Sequence, residues 1–378
     1  MTPYGAPAAI RHCVVADALT DLTLTELDLA VDTCQRRIIV PGVLRASYPI
    51  TSPAAGDEAR KIVAGRTVIH VMRDVDIWGS YLIWHAEPAM DDQGHLTLQL
   101  QGASLESYPY RRKIRADLTY ADVDQIEIAR QLLTHMAARP EGDMGLALMG
   151  GLSGTLRDRT YRASESATYG ERLEQLANVI GGFEYMIRTR IDTVTGQRVR
   201  EWVWATRLGS PGIVRDITQP GVIKSWSYPE DATQAATAWQ TRGDTIQDDL
   251  SAASEPLMSD VYEDTARLAA GWPLLDRTED YSSVRRISTL NAHAEQLRDT
   301  RSGSVSIPRI TVHFDDAFSI DPNYLGDTAR FTLVNDWFPL SPSGAPTFSR
   351  AWRIVGMDIK PPTSDDGEER AELIFEEA

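Results

Sequence analysis

Cysteine is nearly absent from this chain: Cys13 and Cys34 are the only two among 378 residues. Two cysteines cannot build a disulfide framework, and neither lies in a metal-type cluster, so both are expected as reduced, buried thiols. Basic charge is also in short supply. Lys and Arg number 38 against 54 Asp and Glu, a formal net charge of -16. That excludes a general DNA-wrapping role, because phosphate contacts need a cationic surface, but suits a surface that nucleic acid slides past. Long apolar runs are missing as well. Ile38–Pro41 and Met144–Met149 fall far short of the roughly 20 residues that span a bilayer. The opening Met1-Thr-Pro-Tyr-Gly-Ala-Pro7 lacks the basic start and apolar stretch of a signal peptide. The expectation is synthesis in the cytoplasm with no export on a signal of its own.

Catalytic and metal motifs are equally scarce. Asp74-Val-Asp76 suggests an acidic metal pair, but Trp78 and His85 stand where a calcium loop needs oxygen ligands, so a hairpin turn is the expectation. Ser104 and Ser153 are the serine candidates, and both fall short of the nucleophile-elbow pattern. The seven histidines are scattered. His70 and His85 lie in strands, and without H-E-x-x-H or a His/Cys grouping no zinc site is expected. Gly150-Gly151 with Gly154 lacks the lysine of a P-loop. Glu184 and Glu201 sit on neighbouring strands and could face each other as an acid/base pair. Arg188, Arg190, Arg198 and Arg200 crowd the same hairpin, which favours cross-strand ion pairing instead. Nine tryptophans are spread along the chain. Trp202 and Trp204 point the same way along one strand and are the best sugar-binding pair, although aromatics at that spacing more commonly fill cores. The sequence therefore predicts no catalytic residue, no cofactor and no metal site.

What is present is a great deal of strand. At 42% hydrophobic and 24% charged the composition is that of a globular protein, long enough for two or three domains. Gly65–Asp74, Ser80–Glu87 and His95–Gly102 are rich in β-branched and aromatic residues and punctuated by Asp and Gly, the marks of an antiparallel meander. His95, Thr97, Gln99 and Gln101 alternate with Leu96, Leu98 and Leu100, which gives one wet face and one packed face. Leu22–Leu27 and Arg37–Leu44 add early strands, and Thr51–Asp57 reads as an exposed loop.

From Tyr120 the period changes. Ile126, Ala129, Leu133 and Met136 recur at helical spacing up to Pro140. Met144–Asp158 is Gly-rich and gives no clear assignment. Thr168 and Glu171 have capping-box spacing before the stripe Leu173, Leu176, Ala177 and Ile180, which Gly181-Gly182 should end. A hairpin follows over Phe183–Trp204 with its turn at Asp192–Gly196. Beyond Pro220 come further strands, a polar acidic loop over Asp244–Tyr262, and a helix over 286–301 with Leu290, Ala294 and Leu297 in register and Gly303 beyond it. Ile310–Phe314, Gly326–Leu333, Trp352–Ile359 and Ala371–Phe375 complete a strand-rich finish. The expected fold is a β-dominated α+β protein with an N-terminal domain (1–118), a mixed middle domain (119–220) and a second sheet domain (221–378).

These segments, in order, resemble the tail hub (baseplate hub, or minor tail) proteins of long-tailed phages of actinobacteria. The residues that carry the resemblance are Val68–Arg73 with Trp78–Tyr81, Gly102–Arg112 ending in paired arginines, Asp124–Arg130, Leu173–Tyr185, Tyr324–Phe331 and Arg353–Gly356. The resemblance implies two tail-tube-like antiparallel β-barrel domains joined by the smaller mixed domain. It also implies a homotrimer whose six barrels meet the sixfold tail tube, continuing or closing the DNA channel. Its implied partners are the distal tail protein or tail tube, the tape measure protein, and fibre or spike proteins. Genomic DNA would pass through without specific binding, and the protein would reside in the virion. Because the sequence stops at Ala378, soon after its last strand, any enzymatic or tip module is expected on a separate protein. A tail-associated glycan-binding or cell-wall hydrolase module, and the hub of a phage-derived injection device, are the alternatives.

Overall fold

The computed structural model describes residues 12–245, 255–282, 284–302, 308–315, 318–362 and 368–376. The opening Met1–Pro7, the centre of the expected acidic loop and Gly303 lie outside them. The chain divides into two compact units, one made of 1–225 with 310–376 and the other centred on 226–309.

The first unit opens with β1 (Cys13–Asp17), β2 (Thr23–Leu27), β3 (Ala30–Arg37) and β4 (Val43–Pro49). Helix α1 (Pro53–Ala59) precedes β5 (Thr67–Arg73), β6 (Asp76–Met90) and β7 (Leu96–Ser104). Antiparallel pairing of β5, β6 and β7 realises the meander. Leu98 and Leu100 are buried while Gln99 and Gln101 are exposed, as the alternation requires, although Leu96 at the outer end is exposed. The expected loop at Thr51–Asp57 is instead the start of α1. Ser52 accepts a hydrogen bond from the Ala55 amide at 3.1 Å and Pro53 occupies the first turn, a helix start that outweighs the small polar composition.

Next come β8 (Leu118–Asp124), α2 (Gln125–Ala137), β9 (Leu146–Leu148), β10 (Leu156–Tyr161) and α3 (Tyr169–Ala177). The hairpin of β11 (Glu184–Ile191) and β12 (Arg198–Ala205) follows. Asp124 caps α2 by accepting from the Ile126 amide at 2.8 Å, and Ile126, Ala129, Leu133 and Met136 are all buried. The capping box at Thr168 and Glu171 is present. Helix α3 ends at Ala177, however, so Ile180 lies beyond it and is 88% exposed instead of continuing the stripe. The Gly-rich segment contributes β9, parallel to β12, and β10, antiparallel to β8. Both helices pack with Phe183, Tyr185 and Trp202 in one large core.

After β13 (Ile213–Gln219) and β14 (Ile223–Ser227), the second unit holds β15 (Ala238–Thr245), β16 (Pro256–Met258), β17 (Tyr262–Glu263), α4 (Thr265–Ala269), β18 (Asp276–Asp280) and α5 (Ile287–Arg301). Strand β15 is its centre, and α5 buries Leu290, Ala294 and Leu297. The chain then returns to the first unit with β19 (Arg309–Phe314), β20 (Thr328–Leu333), β21 (Phe348–Lys360) and β22 (Glu369–Phe375).

These last strands are not a separate sheet. Strand β21 is 13 residues long; its first half pairs with β20 and its second half with β22 and β3. The pairing path therefore runs β14-β19-β22-β21-β3-β4-β7-β6-β5-β1-β2, with β20 and β13 branching from β21. The fold is β-dominated α+β. Among the described residues the path is open at both ends and closes into no barrel, because β21 spends its length joining the C-terminal strands to the N-terminal ones. The borders of the two compact units fall near 225 and 310.

Candidate functional site

A serine, a histidine and an aspartate do meet inside the first unit. His70 on β5 faces Ser80 on β6 as its cross-strand partner. Its Nδ1 lies 2.7 Å from Ser80 Oγ and its Nε2 2.9 Å from Asp21 Oδ1. Asp21 reaches in from the tight turn between β1 and β2, at a φ of 57°. Burial lowers the imidazole pKa, against the pull of Asp21, and favours the neutral ring. Burial raises the Asp21 carboxyl, but the His70 hydrogen bond and the charges of His70, Arg200 and Arg198 outweigh it and bring it to about 2.

The order Asp–His–Ser is that of a hydrolase triad, but the setting is not. His70 is fully buried, Ser80 nearly so, and Ser80 Oγ is also 2.8 Å from Thr189 Oγ1. Arg200 Nη2 and Arg198 Nε donate to the same aspartate at 2.7 and 3.1 Å. A nucleophile must reach a carbonyl carbon, and here every face of Ser80 meets protein. The cluster ties the β1–β2 turn, the β5–β6 pair and the β11–β12 hairpin together. Three residues 10 and 49 positions apart (His70 from Ser80 and from Asp21) carry no linear signal of this.

The sequence candidates fall out one by one. Glu184 pairs with Ala205 and Glu201 with Arg188 in the hairpin register, so the two carboxylates are four residues apart along the ladder and do not face each other. Glu201 accepts from Arg188 Nε and Arg190 Nε, both at 2.8 Å. Burial raises its pKa, but those two hydrogen bonds prevail and hold it below the ordinary value. Glu184 accepts from Arg353 Nη1 at 2.7 Å and from the Leu208 amide at 2.6 Å. Asp74-Val75 forms the β5–β6 turn, with Asp74 at a φ of 54°.

Ser104 is buried and accepts from the Gly42 amide at 2.9 Å, while Ser153 Oγ donates to Asp124 at 3.0 Å. The Gly150–Gly151 carbonyls converge on Arg130, with Gly151 O at 2.9 Å. That loop thus presents acceptors to a cation, the reverse of a phosphate cradle. Trp202 is fully buried and Trp204 half-buried, both edge-on to Phe183 at 6.2 and 6.5 Å, so the pair is core and not an exposed sugar platform. Cys13 and Cys34 are buried, and Cys34 Sγ lies 3.2 Å from Tyr81 Oη. His85 is exposed, 3.3 Å from Glu87. Among the described residues no group of three His, Cys, Asp or Glu is placed to hold a metal, and no helix is long and apolar enough to cross a membrane.

What remains is a cleft of about 650 Å³ between the segment following β7 and the C-terminal end of α2. Arg111, Arg112, Lys113, Arg115 and Arg139 line it against one carboxylate, Glu141, with Tyr108, His135 and Tyr169 also in its wall. Tyr169 donates to or accepts from His135 Nδ1 at 2.6 Å. Arg112 is spoken for: it donates to Tyr108 Oη at 2.8 Å and to the Met136 carbonyl at 3.1 Å, capping α2. The sequence had singled out the paired arginines only as a family feature, and their gathering with Arg139 depends on α2 ending beside them.

No family model and no curated protein matches the sequence. Solved structures do. The tail protein from Neisseria meningitidis superposes with a TM-score of 0.58 at 14% identity, over 96% of this chain and 96% of that one. The 43 kDa tail protein of prophage MuSo2 from Shewanella oneidensis gives a TM-score of 0.59 at 10% identity, over 97% of this chain and 98% of the other. This chain has the fold of those tail proteins. The likeness extends over nearly its whole length, so it covers the strands of the first unit, the helices α2 and α3, and the 226–309 unit alike.

Proposed function

We propose that this chain is a structural, non-catalytic hub protein of a phage tail tip. The observation that carries the reading is the likeness of fold, over 96–97% of the chain, to two tail proteins. The inward-facing polar groups support it: the buried charges and hydroxyls described above are consumed in fastening strands to one another, leaving shape as the product of the sequence.

In this reading the strands form two tube-like lobes. One is β1–β7 within 1–118; the other, from 221–378, is β14 with β19–β22, accompanied by β13, and 226–309 is inserted in it. The mixed segment 119–220 bridges them. Strand edges at β2 and β14 are left for neighbouring copies, since an open edge is a template for pairing. Three copies then close by heterologous contacts into a ring of six lobes. That ring meets the tail tube or distal tail protein, receives the tape measure protein in its bore, and carries fibre or spike proteins. An excess of 16 negative charges favours a bore that repels DNA phosphates, so the genome passes without specific binding.

Cryo-electron microscopy of the intact particle tests this. Three copies around the tail axis at the tip are expected, with an acidic lumen; a neutral or basic lumen would remove the repulsion of DNA. Placement elsewhere in the particle, or sugars or peptides released from purified cell walls by this chain alone, would replace the hub with the glycan-directed alternative.

A further inference from the structure

The basic cleft is an anomaly on a chain of this charge. Five cationic side chains meet one carboxylate there, on a protein with a net charge of -16. Arg112 caps α2, and Arg139 is paired with Glu141 at 3.4 Å. Arg111, though exposed, lies over the Trp84 ring at 4.9 Å, which leaves Lys113 and Arg115 as the exposed pair.

Their arrangement is ordered by the backbone. Arg112 is extended, and the Tyr169 amide donates to Arg112 O while the Ile114 amide donates to Ala167 O, both at 3.0 Å. Lys113 bridges Thr168 in this short antiparallel pairing. Ile114 is buried and Arg112 half-buried, so Lys113 and Arg115 project on the opposite, solvent side, with Arg111 preceding them. In extended chain, side chains on one face recur at roughly 6–7 Å. Lys113 and Arg115 thus form a short row with the spacing of a strand instead of converging on one point, as a single phosphate would require.

We propose that this cleft binds an acidic, extended polypeptide segment of another tail protein, whose alternate carboxylates match the row. Single-stranded nucleic acid suits the cleft less well, because its binding sites stack bases on exposed rings. Here Tyr169 is 3% exposed, Tyr108 is half-buried beside Arg112, and the exposed His135 ring is held by its hydrogen bond with Tyr169. A second copy of this chain is an outcome of the test below; the cleft is built from the segment following β7 and the end of α2, not from the open strand edges β2 and β14. The inference does not depend on ring closure, so failure of the binding and failure of the threefold assembly are separate results.

The test uses the full chain and fluorescence anisotropy with a labelled Glu-Thr repeat of about ten residues, long enough to lie along the row. Saturable binding that weakens with added salt is expected, with none for a Lys-Thr repeat. Lys113→Glu with Arg115→Glu should weaken it by about tenfold or more. Arg309→Glu with Arg350→Glu, an equal charge change at two other exposed arginines, should leave it intact. Circular dichroism and melting curves check folding, and Lys113→Gln with Arg115→Gln replaces the reversal pair if that pair fails to fold. Absence of binding by the unaltered chain overturns the proposal. So does equal loss in both double variants, or a thymidine oligonucleotide of the same length binding as tightly as the acidic repeat. Self-association in mass photometry that the Lys113 and Arg115 substitutions abolish would assign the cleft to a second copy and overturn it too.

Discussion

The buried polar residues of the first unit act as fasteners, and their energetics can be checked one at a time. Glu201 is 2% exposed and answers two arginines that are themselves partly solvated, at 24% and 43% side-chain exposure. Removing a buried carboxylate leaves its partners uncompensated, a loss of about 1–3 kcal/mol after allowance for solvent at the arginines. Glu201→Gln should show that loss as a lowered urea midpoint with an unchanged slope. His70 makes a prediction in pH. Its folded pKa lies below the ordinary 6.5 because burial disfavours the charged ring. Below about pH 6.5 the unfolded chain therefore binds a proton that the folded one resists, and stability declines with acidification. Asp21 adds its own loss only at lower pH, as pH falls from about 3.8 towards about 2. Urea midpoints measured from pH 7.5 to 5 should fall, and His70→Gln should flatten that slope; an unchanged slope would mean another group titrates.

At the scale of elements, local signals and tertiary demands divide the work. The capping box of α3 was plain in the spacing of Thr168 and Glu171, and both of its hydrogen bonds form, at 3.2 and 2.8 Å. Thr168→Ala should destabilise the chain by about 1 kcal/mol, read from a thermal or urea transition. The α3 stripe outruns its helix by one of its residues. Ile180 has helical spacing, yet the chain must turn at Gly181, at a φ of 69°, to enter β11, and the helix stops first. The start of α1 is legible in Ser52-Pro53, and that cap prevails over the loop that the small polar composition around it favours. In the 226–309 unit, α5 buries Leu290 completely against β15, and Thr241 Oγ1 donates to the Leu290 carbonyl at 2.8 Å. Leu290→Ala should cost about 2–5 kcal/mol of that unit's stability. Hydrogen exchange should accelerate in 238–245 and 287–301 while β5–β7 keep their protection; uniform acceleration would show that the two units unfold together.

For the whole molecule, strand content was readable and strand order was not. Each run of alternating Leu and polar residues announces a strand because its face repeats every second residue. Nothing in Trp352–Ile359 announces that the same strand will pair with β20, β22 and β3, since backbone hydrogen bonds are the same whichever partner supplies them. The division at 226 and 310 was hidden for a related reason. The chain leaves the first unit, builds a second around Trp239, and returns to pair β19–β22 with the first, and neither crossing carries a compositional break. The candidate site was half visible. The paired arginines stood out in the sequence, but the cleft needs Arg139 and His135 from the end of α2, brought there by packing in the core around Leu132, Leu133 and Met136.

The sequence alone determined composition and local periodicity: two cysteines, an excess of acidic over basic residues, and spacings that make it strand-dominated with three well-signed helices. Those properties are local, set by residue type and spacing. Tertiary structure decided which strands became neighbours, that His70, Ser80 and Asp21 would be sealed inside as a tie, and that scattered cations would share one cleft on an acidic chain. Such outcomes depend on burial and long-range contact, which only the folded arrangement of distant segments supplies.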